Sequence, residues 1–187
     1  MSQQLRVRVF DCETIVIFPY DTNQTTMTTM INDVAAASGP RIDYAKVAPG
    51  AVHAQLGLET YIRNSGLEHS LIHLMKLRAS YINGCAYCVD MHTKDARAEG
   101  ETEQRLYAVP VWRETPFFTP RERAALAWTD AVNELGRAHV PDEGFEEVRQ
   151  HFTDVEIVNL TMVVVTINGW NRIAIALRQV VGGYVRR

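Results

Sequence analysis

The stretch from Val155 to Val181 constrains the fold most. It is apolar on almost every helical face, and Thr153-x-x-Glu156 gives it a capping-box start. Such a helix must be buried, either in its own core or against other copies of the chain. Asn159, Asn168, Asn171 and Arg172 interrupt it, which argues for a core helix over a membrane span. It is expected to reach Gly182-Gly183.

The segments before it read as its packing partners. Pro49-Gly50 precedes Ala51, Ala54, Leu56, Leu58, Tyr61 and Ile62, an amphipathic helix ending near Asn64-Ser65-Gly66. Ser65-x-x-Glu68 reads as a capping box for a second helix, through Leu71, Ile72, Leu74, Met75, Leu77 and Ile82. Asn83-Gly84 stops that helix, and a third runs from about Cys85 to Glu99-Gly100. A short helix from Glu103 breaks at Pro110, and Trp112 to Phe118 reads as an aromatic loop. Thr119-Pro120-Arg121-Glu122 starts a further helix closed by Gly136, and Pro141 opens a short one with Val148 and Phe152 inward. No dinucleotide fingerprint, phosphate loop or repeated strand pattern occurs. The reading is all-α: a single-domain helical fold of six or seven helices over residues 39–187, preceded by an extension.

That extension, residues 1–38, has a different pattern. Leu5, Val7 and Val9 alternate with arginines, and Ile15-Val16-Ile17-Phe18 follows a polar turn, so a β-hairpin is expected. Residues 21–33 read as linker, Met27 and Met30 as alternative starts, and Cys12 as a bystander thiol. A net charge of -3 gives no electrostatic case for nucleic acid or an anionic membrane. Three cysteines do not make a disulfide framework and suit a reducing compartment. With no evident secretory signal, the expected location is cytoplasmic.

The chemistry is expected in Gly84-Cys-Ala-Tyr-Cys-Val-Asp-Met-His92. Cys85, Cys88 and His92 fall on one helical stripe. Two thiols in disulfide reach, with an imidazole one turn on, form a redox arrangement: the imidazole takes a proton and thiolate is the reactive form. The first turn of the helix, with its unpaired N–H groups, lowers the thiol pKa. The competing readings are a structural pair or half of a zinc site, and no second C-x-x-C is present to complete the latter.

The run Leu77 to His92, together with Thr93 to Arg97, Gly100-Glu101-Thr102, Trp112-Arg113 and Asn168-Gly-Trp-Asn-Arg172, resembles the carboxymuconolactone decarboxylase-like family. Within it the likeness is to the alkylhydroperoxidase D-type (AhpD-like) branch and covers about residues 40–182. The resemblance implies an all-helical fold with C-x-x-C at the start of a central helix, and protomers assembled as a homo-oligomer, trimer or hexamer. It implies a peroxidase that reduces a small-molecule peroxide and is restored by a thiol or dithiol reductant, protein or small molecule. No cofactor or metal is implied. The second cysteine of the family motif is usually peroxidatic, here Cys88, which leaves Cys85 to resolve; the helix-terminus argument favours Cys85 instead.

One departure stands out. The family's relay glutamate, twelve residues before the first cysteine, is His73 here. A neutral imidazole can accept a proton near neutral pH, so His73 is the fourth candidate catalytic residue beside Cys85, Cys88 and His92. The histidine also keeps open a non-peroxidase redox switch or binding protein on the same fold. Lactone decarboxylation belongs to the wider family, whose members commonly lack the C-x-x-C. A metal site from His69, His73 and His92 is the weaker alternative. Trp128 and Trp170 are expected to pack in the core or between subunits, Asp90 to face solvent, and Arg172 to pair with a carboxylate.

Overall fold

The computed structural model describes residues 39–136 and 139–186, together with the backbone of Arg8–Val9 and Ile15–Val16. The chain divides into two units, Met1–Ser38 and Gly39–Arg187. In the first, strands β1 (Arg8–Val9) and β2 (Ile15–Val16) pair antiparallel, Arg8 opposite Val16 and Val9 opposite Ile15. Cys12 and the expected linker lie outside the described residues.

The second unit is helical. Its elements are α1 (Tyr44–Val47), α2 (Pro49–Arg63), α3 (His69–Asn83), α4 (Ala86–Ala98), α5 (Glu103–Ala108), α6 (Pro120–Asn133), α7 (Asp142–Arg149) and α8 (Asp154–Ala176). A 3₁₀ stretch, Val109–Glu114, joins α5 to the loop before α6. These eight α-helices among the described residues exceed the expected six or seven. The extra one, α1, is a single turn capped by the Asp43 side chain on the Lys46 N–H at 3.2 Å, too short for any periodicity to reveal.

Helix α3 is the centre, packed against α4, α6 and α8. Leu71, Ile72, Leu74, Met75, Leu77 and Ala79 are all buried, so it is apolar on more than one face. Each large side chain so buried stabilises the fold by about 1.5–3 kcal/mol. The expected capping box at its start does not form. Glu68 is the N-cap itself, without a side-chain cap, and its carboxylate goes to Arg121 of α6 at 3.0 Å. The Thr119 and Thr153 boxes do form, each threonine and its glutamate bonding reciprocally.

Two further differences have local causes. Helix α8 stops at Ala176, short of Gly182, because Arg178 takes a left-handed conformation (φ 56°). The Gln179 N–H then reaches back to the Ala174 carbonyl at 2.9 Å, and Arg178 N–H to Ile175 at 3.3 Å, closing a Schellman turn around an arginine. The aromatic loop is partly core: Trp112 and Phe118 are buried. Asp130 holds it there, accepting from Arg78 Nε (2.6 Å), Arg113 Nη2 (2.9 Å) and Trp112 Nε1 (3.3 Å). Among the described residues no single helix is long and apolar enough to cross a membrane.

Candidate active site

The backbone aims the motif before any side chain does. Gly84 ends α3 in the left-handed region (φ 68°), which glycine enters without steric cost. Cys85 N–H bonds back to the Ser80 carbonyl at 3.0 Å, so the chain reverses at once into α4. Cys85 is then the N-cap of α4, its sulfur accepting from the Cys88 N–H at 3.4 Å. The C-x-x-C is thus folded around a helix start, as expected. The two cysteines are joined as a disulfide, Cα–Cα 5.3 Å, and both are buried.

An amide cluster anchors this turn from behind. Asn83 Nδ2 converges on the Oδ1 atoms of Asn168 (2.9 Å), Asn171 (2.8 Å) and Asn133 (3.2 Å). Asn171 Nδ2 donates in turn to Ser80 Oγ at 3.2 Å. Two of the asparagines that break the apolar run of α8, Asn168 and Asn171, are therefore fixing points of the helix end that presents the cysteines, while Asn159 bonds Tyr61 and the Ser65 carbonyl. Arg172, expected to find a carboxylate, instead donates to Asn168 of its own helix, to O at 3.0 Å and Oδ1 at 2.9 Å.

Cys88 lines a cavity of about 390 Å³, walled by Tyr44, Tyr87, Met91, His92, Trp170 and Tyr184. Cys85 is not in that wall. Trp170 is therefore a cavity residue as well as a packing one; its Nε1 donates to Glu59 at 2.9 Å. Trp128 packs in the core, as expected, with Nε1 on Thr161 at 3.1 Å. Asp90 turns to Lys94 at 2.8 Å instead of standing free in solvent.

His92 lies one turn after Cys88, only 4% exposed, and neither ring nitrogen has a protein partner. Burial lowers its pKa well below the usual 6.5; the Lys76 charge and then His73 lower it further. His92 is thus a neutral imidazole at neutral pH, able to accept a proton but a poor place to keep one. Lys76 is itself buried and is held by Glu59 at 2.5 Å.

His73 reaches the same cavity from α3. Its ring centroid is 6.4 Å from that of His92. Its Nε2 meets Glu99 Oε2 at 3.1 Å, and its buried Nδ1 has no protein partner. Burial lowers the His73 pKa, and the adjacent Glu99 charge opposes that shift. His69 turns away, to the Arg63 carbonyl at 3.3 Å. Among the described residues no three His, Cys, Asp or Glu side chains are grouped to hold a metal ion.

The structure thus brings Cys85, Cys88, His92 and His73 together. It adds residues that the sequence reading does not single out: Glu99, Lys76, Glu59 and the tail after α8. Tyr184 OH donates to Asp95 at 2.8 Å, and Arg186 Nη2 meets Glu99 Oε1 at 2.6 Å. With that bond to Asp95, and with burial first among the causes, the Tyr184 pKa is pushed up to about 12. Glu99 was accessible in principle, since it lies seven residues after His92, on the cysteine stripe.

Fold and site together define a helical domain with a cysteine pair at the start of an inner helix and two histidines beside it. The chain belongs to the carboxymuconolactone decarboxylase family, whose model matches residues 49–131. It is 40% identical over 137 residues to the uncharacterized protein YdfG of Bacillus subtilis, a match spanning 73% of this chain and 93% of that one. Among solved structures it is similar to a protein of unknown function from Agrobacterium tumefaciens, provisionally assigned to antioxidant defence as AhpD. That likeness has 50% identity and a TM-score of 0.75, over 78% of this chain and 99% of that one. A peroxidase-related protein with an AhpD core from Ralstonia eutropha shares the fold at 21% identity and a TM-score of 0.67, over 85% of this chain and 86% of that one.

Proposed function

We propose that the protein is a thiol-dependent peroxidase that reduces alkyl hydroperoxides through a Cys85/Cys88 dithiol–disulfide cycle. One observation carries the reading: Cys88 faces the cavity, with Cys85 in bonding range behind it and the unpartnered His92 beside it. His92 takes the Cys88 proton. The thiolate attacks the distal oxygen of the hydroperoxide, the O–O bond breaks, and the departing alkoxide takes the proton back, leaving an alcohol and a Cys88 sulfenic acid. The Cys85 thiol then attacks that sulfur, forming the disulfide and releasing water. A dithiol donor, protein or small molecule, reduces the pair and is itself oxidised to a disulfide.

The role of Cys88 follows from access, since it lines the cavity and Cys85 does not. The N-cap position favours thiolate character at Cys85, which makes it an attacking thiol in the resolving step. The aromatic wall favours an organic peroxide over hydrogen peroxide. The chemistry needs a reducing compartment, consistent with the cytoplasm. We also expect a homo-oligomer: Val155, Val158, Met162 and Val165 form one stripe on α8, and its three valines are exposed in the single chain.

The direct test is to add one equivalent of cumene hydroperoxide to reduced protein and map thiols by mass spectrometry. The reading expects a single Cys85–Cys88 disulfide within seconds to minutes, and an alkylatable sulfenic acid on Cys88 in Cys85→Ser. Thiols that persist for hours would reject it.

A further inference from the structure

The position where a relay carboxylate is expected holds His73, yet a carboxylate is present one residue further out. Glu99, the C-cap of α4, divides its two oxygens: Oε1 meets Arg186 Nη2 at 2.6 Å and Oε2 meets His73 Nε2 at 3.1 Å. We propose that Glu99 is the carboxylate of the proton relay and acts through His73, the order being Cys88, His92, His73, Glu99. The inference rests on the peroxidase reading above.

The hydrogen bonding sets the tautomer. Against a carboxylate, His73 Nε2 carries the hydrogen and donates it, so Nδ1 is left with its lone pair. That Nδ1 is buried without a protein partner, as are both nitrogens of His92. The ring centroids are 6.4 Å apart with no bond between the imidazoles, a gap of the size that one bridging water spans. The proton therefore passes from Cys88 sulfur to His92, through that water, to His73 Nδ1. Glu99 holds the imidazolium that results, as the aspartate does in a Ser-His-Asp triad. On reduction of the peroxide the same proton returns to the alkoxide.

The surroundings of the two rings differ. His92 is buried, and it feels the Lys76 charge with no carboxylate to offset it. His73 is less buried and has Glu99 against it. The other titratable groups around the two rings and Glu99 are Tyr44 on α1, Glu59 and Arg63 on α2, His69 and Lys76 on α3, Tyr87 and Asp95 on α4, Glu101, Arg105 and Glu122 beyond it, and Tyr184 and Arg186 on the tail. Glu101 and Glu122 are both held by Arg105. Glu59 is taken by Lys76 and Trp170, and Asp95 by Tyr184 OH. Among these carboxylates only Glu99 has an oxygen on a relay imidazole. Glu99 is a positioning residue in this scheme, because it touches neither peroxide nor sulfur.

The test is a two-by-two set: parent, Glu99→Gln, His73→Glu and the double variant. The readout is the pH midpoint of iodoacetamide labelling of Cys88 in fully reduced protein, a measure of thiolate that needs no peroxide turnover. Glu99→Gln is expected to move the midpoint up by about one pH unit, a tenfold loss of thiolate at a fixed pH below it. In the His73→Glu background, where a carboxylate stands next to His92, Glu99→Gln no longer raises the midpoint. An unmoved midpoint in Glu99→Gln, or an equal rise in both backgrounds, overturns the relay. Because labelling is independent of turnover, a protein that shows this pattern but consumes no peroxide retains the relay and loses only the peroxidase reading.

Discussion

Gly84 offers a clean test of how the backbone delivers the cysteines. A Cβ built on Gly84 meets nothing within 4 Å, so Gly84→Ala adds no clash and probes only the left-handed backbone (φ 68°). Holding an L-residue there costs about 1–2 kcal/mol. The stiffer alanine also restricts the unfolded chain, which offsets roughly 0.4–1 kcal/mol. A net loss of about 0–1.6 kcal/mol is expected, at roughly 2–4 °C of Tm per kcal/mol for a domain of this size. Gly57 is the control. It is an exposed glycine inside α2, again with open space at Cβ. The same change there should stabilise by roughly 0.5–1 kcal/mol, because helix interiors favour alanine. Urea unfolding of reduced protein, parent against both variants, reads the opposite signs. Gly84→Asn should lose less than Gly84→Ala, since asparagine tolerates the left-handed region. If Gly84→Ala stabilised the protein as much as Gly57→Ala does, the left-handed reversal into Cys85 would be wrong.

Other consequences are as testable. The folded-state pKa of His92 is depressed, so between that value and about 6.5 the unfolded chain binds more protons and stability falls with falling pH. His92→Gln should flatten this slope by at most about 1.4 kcal/mol per pH unit, read from urea midpoints between pH 7 and 5. Glu68, Glu122 and Glu156 are also depressed, but their loss begins near and below 4.5 and should survive the substitution. Arg178→Gly relieves an arginine at φ 56° and should raise stability by about 0.5–1 kcal/mol in the same assay. Thr119→Ala removes one capping box and should cost about 1 kcal/mol. Val158→Glu puts a charge in the exposed α8 stripe and should lower the mass measured by light scattering, with helicity unchanged; an unchanged oligomer would move the interface elsewhere.

Much of the helical frame is legible because its punctuation is local. The Thr119 and Thr153 boxes, Pro49, Pro120 and Gly84 act within a turn of themselves, and all stand where their residue types suggest. The misses are tertiary. Ser65-x-x-Glu68 has the letters of a capping box, but Arg121, fifty-three residues on from Glu68, takes its carboxylate. The end of α8 hides because an arginine adopts the conformation usually left to glycine. At the site, the C-x-x-C and His92 share one helix, so their spacing suffices. Glu99 shares that helix too, yet its partner His73 belongs to α3, and a helical wheel of either alone does not pair them. The tail is illegible for the same reason: nothing in Gly-Tyr-Val-Arg-Arg says that Tyr184 and Arg186 return to α4.

Steady-state consumption of an alkyl hydroperoxide with a dithiol donor, for the parent, Cys88→Ser and Cys85→Ser, tests the central claim most directly. Turnover is expected in the parent, none in Cys88→Ser, and at most a single stoichiometric event in Cys85→Ser. A parent with no turnover, or a Cys88→Ser variant that keeps the parental rate, would contradict it.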